Sequence, residues 1–139
     1  MDKIKLEFKV DGGDFINAGS ASSHIKRVLK QLGISPLIIK RTVIALYEAE
    51  VNIVAHAEKG TISVCIYEDK IILQLKDKGP GIPDINKAMQ AGFSTASKEV
   101  RNMGFGAGMG LPNIQKNADE FELNSEVGQG TSLKIVTYF

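Results

Sequence analysis

Asp77-Lys78-Gly79-Pro80-Gly81-Ile82 closes an alternating run of residues with a carboxylate and follows it with two glycines. The run before it, Lys70 to Lys76, has the period of a half-buried strand, so Asp77 stands at a strand end. Glycines at 79 and 81 allow tight backbone turns against a ligand. A planar base with an exocyclic amine would donate to an aspartate held there. Taken alone, the stretch also reads as an ordinary proline–glycine turn.

Upstream, Ile4 to Val10 alternates apolar and charged residues and is stopped by Asp11-Gly12-Gly13, which predicts a first strand. Phe15, Ala18, Ala21, Ile25, Val28, Leu29 and Leu32 recur at helical spacing, predicting a helix from Asp14 to Leu32 capped by Gly33. Ser35-Pro36 offers an N-cap and a first-turn proline for a second, long helix that runs to Ala57. Thr61 to Tyr67 and Lys70 to Lys76 read as a hairpin about Glu68-Asp69. Beyond Asp77 the texture changes, since most of the 14 glycines lie from Gly79 onward. Asp84 to Ala91 reads as a short helix, Gly92 to Gly106 as a long loop, and Leu111 to Ala118 as a helix. Phe121 to Val127 and Ser132 to Phe139 read as closing strands. This order implies helices on one face of a mixed sheet, an α/β arrangement in two layers.

At 139 residues, 43% hydrophobic and 24% charged, the chain fits a single domain spanning 1–139 with a core of its own. Its 17 basic and 16 acidic residues leave a net charge of +1, so no global field draws in nucleic acid or an anionic membrane. The lone Cys65 lies in an alternating stretch, where a buried strand thiol is expected rather than a nucleophile. With neither a signal-type block nor a membrane-length apolar window, a cytoplasmic protein is expected.

Three further elements carry chemistry. Glu48, Asn52 and His56 are spaced four apart on the long helix and stack on one face, interrupting an otherwise apolar element. Solvent exposure or satisfied core hydrogen bonds would explain that stripe equally well. Gly104-Phe105-Gly106-Ala107-Gly108-Met109-Gly110-Leu111 sets four glycines at alternate positions directly before a helix, where bare amides suit phosphate oxygens. A P-loop needs lysine and a hydroxyl residue after the last glycine, and a dinucleotide fingerprint needs a glycine where Met109 or Leu111 stands. A glycine run can also be a hinge. Gly128-Gln129-Gly130-Thr131 places a hydroxyl at the start of the last strand, or forms a plain hairpin turn.

In this order and spacing the elements resemble the histidine-kinase-like ATPase superfamily, which includes gyrase-type and chaperone ATPases. Glu48-Ala49-Glu50-Val51-Asn52 is similar to its asparagine box, Asp77 to Ile82 to its first glycine box, Phe93-Ser94-Thr95 to its phenylalanine box, and Gly104 to Leu111 to its second. Within the superfamily, the stretches Asp77 to Thr95, Gly106 to Pro112 and Asp119-Glu120-Phe121 resemble bacterial anti-sigma factor and stress-switch serine/threonine kinases. Residues Ala96 to Met103 make the intervening loop longer than in the switch kinases and closer to an anti-sigma lid.

The resemblance implies a Bergerat-type ATP-binding fold, an α+β two-layer sandwich whose mostly antiparallel sheet is covered on one face by helices. It implies ATP and Mg2+ as cofactors, with Asn52 ligating the metal and Glu48 as the general base of serine phosphorylation. Asp77 and Thr131 would hold adenine, with Gly79, Gly81 and Ile82 shaping the pocket. Thr95, Gly104, Gly106, Gly108, Gly110 and Leu111 would line the nucleotide site, and Lys98 and Arg101 would reach the γ-phosphate. The implied substrate is a small anti-sigma-antagonist protein of the STAS fold; a sigma factor, a phosphatase and a second copy of the chain are further implied partners. Two rival readings are a nucleotide-gated binding module without significant kinase activity and the ATPase half of a sensor histidine kinase. The second is not expected, because no phosphoacceptor helix precedes the motifs within these 139 residues.

Overall fold

The computed structural model describes residues 3–90 and 110–139. In chain order these form β1 (Ile4–Asp11), α1 (Ser20–Gln31), α2 (Pro36–His56), β2 (Lys59–Ile66), β3 (Lys70–Lys78), α3 (Ile85–Ala88), α4 (Gly110–Lys116), β4 (Glu120–Glu126) and β5 (Gly130–Tyr138). The strands make one sheet in the order β1-β2-β3-β5-β4, antiparallel in all four pairings. The mostly antiparallel, helix-covered sheet expected from the sequence is therefore present, and no parallel pairing occurs among the described strands.

Alternation sets the two faces. The rows Leu6–Val64–Leu73–Ile135–Phe121 and Phe8–Ile62–Leu75–Leu133–Leu123 run across the five strands and carry only apolar side chains. They pack with Ile25 and Leu29 of α1, Leu46, Ala49 and Ile53 of α2, and Ile114 of α4 into one core. The neighbouring row Glu7–Ser63–Gln74–Lys134–Glu122 faces the other way and is polar throughout. Cys65 stands on that second face and is half-buried, less enclosed than the sequence suggested.

Two helix boundaries differ from expectation. α1 begins at Ser20, not Asp14, because Gly13 and Gly19 take φ of +80° and +96° and the Asp14 carboxylate accepts from the Asn17 side chain at 2.9 Å. The short helix α3 is confined to Ile85–Ala88, with the Asp84 side chain accepting from the Lys87 amide at its N-terminus. The other elements lie within a few residues of their sequence positions. Among the described residues no helix is long and apolar enough to cross a membrane.

Candidate functional site

Asp77 lies near the end of β3, with its side chain on the helix-covered face of the sheet and half-buried. Its Oδ1 accepts from the Thr131 amide at 3.1 Å, which leaves Oδ2 for a second donor. Burial pushes the Asp77 carboxyl above its ordinary range, and the Thr131 N–H partly offsets that rise. The turn after β3 is held on both sides. A Cβ at Gly79 would lie 3.1 Å from the Ala57 Cα at the end of α2, and one at Gly81, where φ is +75°, would run into the Glu126 carbonyl. Any larger residue at 81 would lift the turn off the β4–β5 hairpin.

Ser125 is the residue that sequence reasoning missed here. Its Oγ accepts from the Ile82 amide at 2.8 Å, lies 2.9 Å from Thr131 Oγ1 and reaches the Gly130 carbonyl at 3.1 Å. One hydroxyl thus ties the glycine turn to the start of β5. Thr131 contributes its amide to Asp77 and its hydroxyl to Ser125, a division of labour that the position of the threonine alone does not reveal.

The second group lies on α2. Glu48 and Asn52 are half-buried on the helix, one turn apart. α4 packs against them: a Cβ at Gly110 would lie 3.0 Å from Asn52 Oδ1. Burial raises the Glu48 carboxyl and the Asn113 side chain opposes the rise. His56, one more turn along, is held below its ordinary value by burial. Leu111 packs its side chain against the core.

Glu50, between Glu48 and Asn52 in sequence, points away from them into the protein. It is 2% exposed and accepts from the Gly19, Ala21 and Ser22 amides and from Ser22 Oγ at the N-terminus of α1. The two groups approach each other where Gly79 meets Ala57, five residues beyond Asn52. Thr95, Lys98, Arg101, Gly104, Gly106 and Gly108, like the expected loop from Gly92 to Gly106, lie outside the described residues.

The arrangement suits an adenine nucleotide: an anchored carboxylate with one oxygen spare for an amine, glycines where side chains would collide, and a carboxamide and a carboxylate beside a helix that follows a glycine run. The sequence pattern of the histidine kinase-like ATPase domain matches residues 16–137. The chain belongs to that family. It is 38% identical over 117 residues to the serine/threonine-protein kinase RsbT of Bacillus subtilis, spanning 81% of this chain and 82% of that one. It is 37% identical over 99 residues to an anti-sigma F factor of Caldanaerobacter subterraneus subsp. tengcongensis, spanning 68% of this chain and 66% of that protein. The fold is similar to a chain in the crystal structure of the SiaB–SiaC complex from Pseudomonas aeruginosa, with a TM-score of 0.66 over 95% of this chain and 88% of that one at 14% identity. Family and enzyme class, a protein serine/threonine kinase, thus agree with what the sequence motifs imply.

Proposed function

We propose that the protein transfers the γ-phosphoryl group of ATP to a serine or threonine of a small STAS-fold regulatory protein in bacterial transcription control. The observation that carries this reading is the pairing of Glu48 and Asn52 one turn apart on α2, with Gly110 of α4 packed on Asn52. A metal site alone would need the asparagine; a carboxylate one turn away, without an ion pair among the described residues, adds a group able to accept a hydroxyl proton.

In this reading Asp77 Oδ2 accepts from the adenine amine while the Thr131 amide holds Oδ1. Gly79, Gly81 and Ile82 form the wall against the base, fixed by Ser125. Asn52 would hold magnesium, which when bound with ATP would supply charge neutralisation at the phosphates. A Glu48 carboxylate oxygen takes the proton of the incoming hydroxyl. Lys98 and Arg101 are assigned to the γ-phosphate through their place in the sequence. The protein relatives named for kinase and anti-sigma activity, and a fold neighbour described in complex with a protein, support a protein as the acceptor.

The anti-sigma relatives favour one alternative, a module whose nucleotide state gates capture of a regulatory partner. Incubating the chain with labelled ATP, Mg2+ and a STAS-fold partner separates the two. The kinase reading expects label on the partner's serine or threonine, with Glu48→Gln retaining ATP affinity within a few fold while transfer falls by at least about 10². Nucleotide-dependent partner binding without label would overturn it.

A further inference from the structure

α2 carries two stripes with the same spacing, and the core uses one of them. Ile39, Thr42, Leu46, Ala49 and Ile53, at steps of three and four residues, are all buried, and the four apolar members belong to the core. Two residues out of step with them, Leu37, Lys40, Ile44, Tyr47 and Val51 repeat the pattern. Two residues are about 200° around a helix, so this second stripe runs along the side of α2 turned away from the sheet. Four of its five members are apolar, yet none packs with the core: Leu37 is 68% exposed, Tyr47 39% exposed and Ile44 half-buried. A helix in the outer layer of a two-layer fold ordinarily turns a polar face to water, and one that is apolar on both sides is built to be covered on both.

The loop between β1 and α1 widens the stripe. It is fastened to α2 at both ends, through the Gly13 amide to the Val54 carbonyl at 2.8 Å and the Gly19 amide to Glu50 Oε2 at 3.0 Å. A Cβ at Gly19 would lie 3.1 Å from the Tyr47 ring. Midway between the two ties stands Ile16, 95% exposed. An apolar side chain on a fastened backbone loses little conformational freedom on binding, which suits an interface anchor. On its other flank the stripe borders the site, since Glu48 follows Tyr47 and lies one turn beyond Ile44. Leu37 to Tyr47 spans about 15 Å of helix, whereas a standard interface takes roughly 800 Å² from each partner, about 30 Å across. A protein that seats a hydroxyl at Glu48 with a contact of that size covers the stripe as well.

We propose that the outward stripe of α2, Leu37, Ile44 and Tyr47, with Ile16 beside it, is the docking surface for the phosphate-accepting protein, which meets it with an apolar patch of its own. This rests on the kinase reading. Acceptor affinity and nucleotide affinity are then set by different residues, the first by this stripe and the second by the pocket around Asp77.

The test uses a purified STAS-fold protein that the wild-type chain phosphorylates with ATP and Mg2+, and compares wild type with Leu37→Asp, Ile16→Asp and the double variant. Each single variant should raise KM for the acceptor about 10-fold, and the double variant more. Meanwhile kcat at saturating acceptor should stay within about threefold and calorimetric ATP affinity should not change. Gln74→Asp, on the polar face of the sheet, should leave all three quantities at their wild-type values. Leu37→Ala and Ile16→Ala, smaller changes at the same exposed positions, should move KM in the same direction and keep the test open if an aspartate variant does not fold. A wild-type KM in the folded double variant overturns the docking surface alone. So does a wild-type dimer that the double variant splits without a change in KM, which would assign the stripe to a second copy of the chain. Absence of transfer by the wild-type chain to the STAS-fold proteins tried overturns the kinase reading and the proposal with it.

Discussion

Glu50, in the middle of α2, accepts from both the hydroxyl and the amide of Ser22, at 2.7 and 3.2 Å, and so caps a helix that begins 30 residues earlier. Its other oxygen takes the Gly19 and Ala21 amides, so the Ala21 and Ser22 donors of the first turn of α1, which lack partners within their own helix, are met by one buried carboxyl group, while the Ser20 amide reaches the Asn17 carbonyl. The Gly19 side of this contact packs against Tyr47, one residue before Glu48. The same helix thus presents a functional face and a structural one.

Glu50→Ala is expected to lower the unfolding free energy by at least about 3 kcal/mol, because hydrogen bonds to a charged group contribute roughly 1.5–3 kcal/mol each and buried donors would be orphaned. Glu50→Gln keeps one acceptor oxygen and should fall between the two. Urea denaturation of the three proteins measures this. An alanine variant as stable as the wild type would remove the capping role.

Asp77 sets function against stability. Its carboxyl is raised by burial above the ordinary 3.8, so the native state binds that proton more tightly than the unfolded chain does. The contribution is fully present below pH 3.8 and is lost as pH rises through the native value. At neutral pH without ligand the ionised group is therefore a liability. Asp77→Asn, which retains an oxygen for the Thr131 amide, should melt higher than wild type at pH 7, with the gain closing in acid. It should also lose the thermal shift given by magnesium-ATP, about 2.7 kcal/mol of stabilisation at 100 times the dissociation constant. Thermal melts from pH 3 to 8, with and without nucleotide, report both effects. A variant that melts lower than wild type at pH 7, or that keeps the nucleotide shift, would contradict this account.

Ser125→Ala removes the hydroxyl that joins Ile82 to Thr131 and leaves the Ile82 amide without its partner. The cost should be about 1–3 kcal/mol of stability, with weaker nucleotide binding because the turn from Gly79 to Ile82 is no longer tied to β5. Calorimetric titration with ATP and magnesium measures the second effect. Wild-type affinity in a folded Ser125→Ala protein would show that the turn holds its shape without this tie.

Local spacing determined the strands, the two long helices, the strand-end carboxylate of Asp77 and the stacking of Glu48 over Asn52. Each of these depends on neighbours within a turn of helix or along one strand, where period and glycine placement are direct reporters. Tertiary structure alone decided that β3 pairs with β5, that α1 starts at Ser20, that Glu50 serves α1 and that Ser125 ties the glycine turn to the start of β5. Ser22 and Glu50 are 28 residues apart, Ile82 and Ser125 are 43 apart, and Asp77 and Thr131 are 54 apart. Serine, asparagine and glutamate serve equally well in turns, on surfaces and at caps, so their composition carries no mark of a distant partner. Packing of α1 on α2 and pairing of β3 and β4 with β5 bring each donor to its acceptor, in buried or half-buried settings where an unmet polar group would be costly.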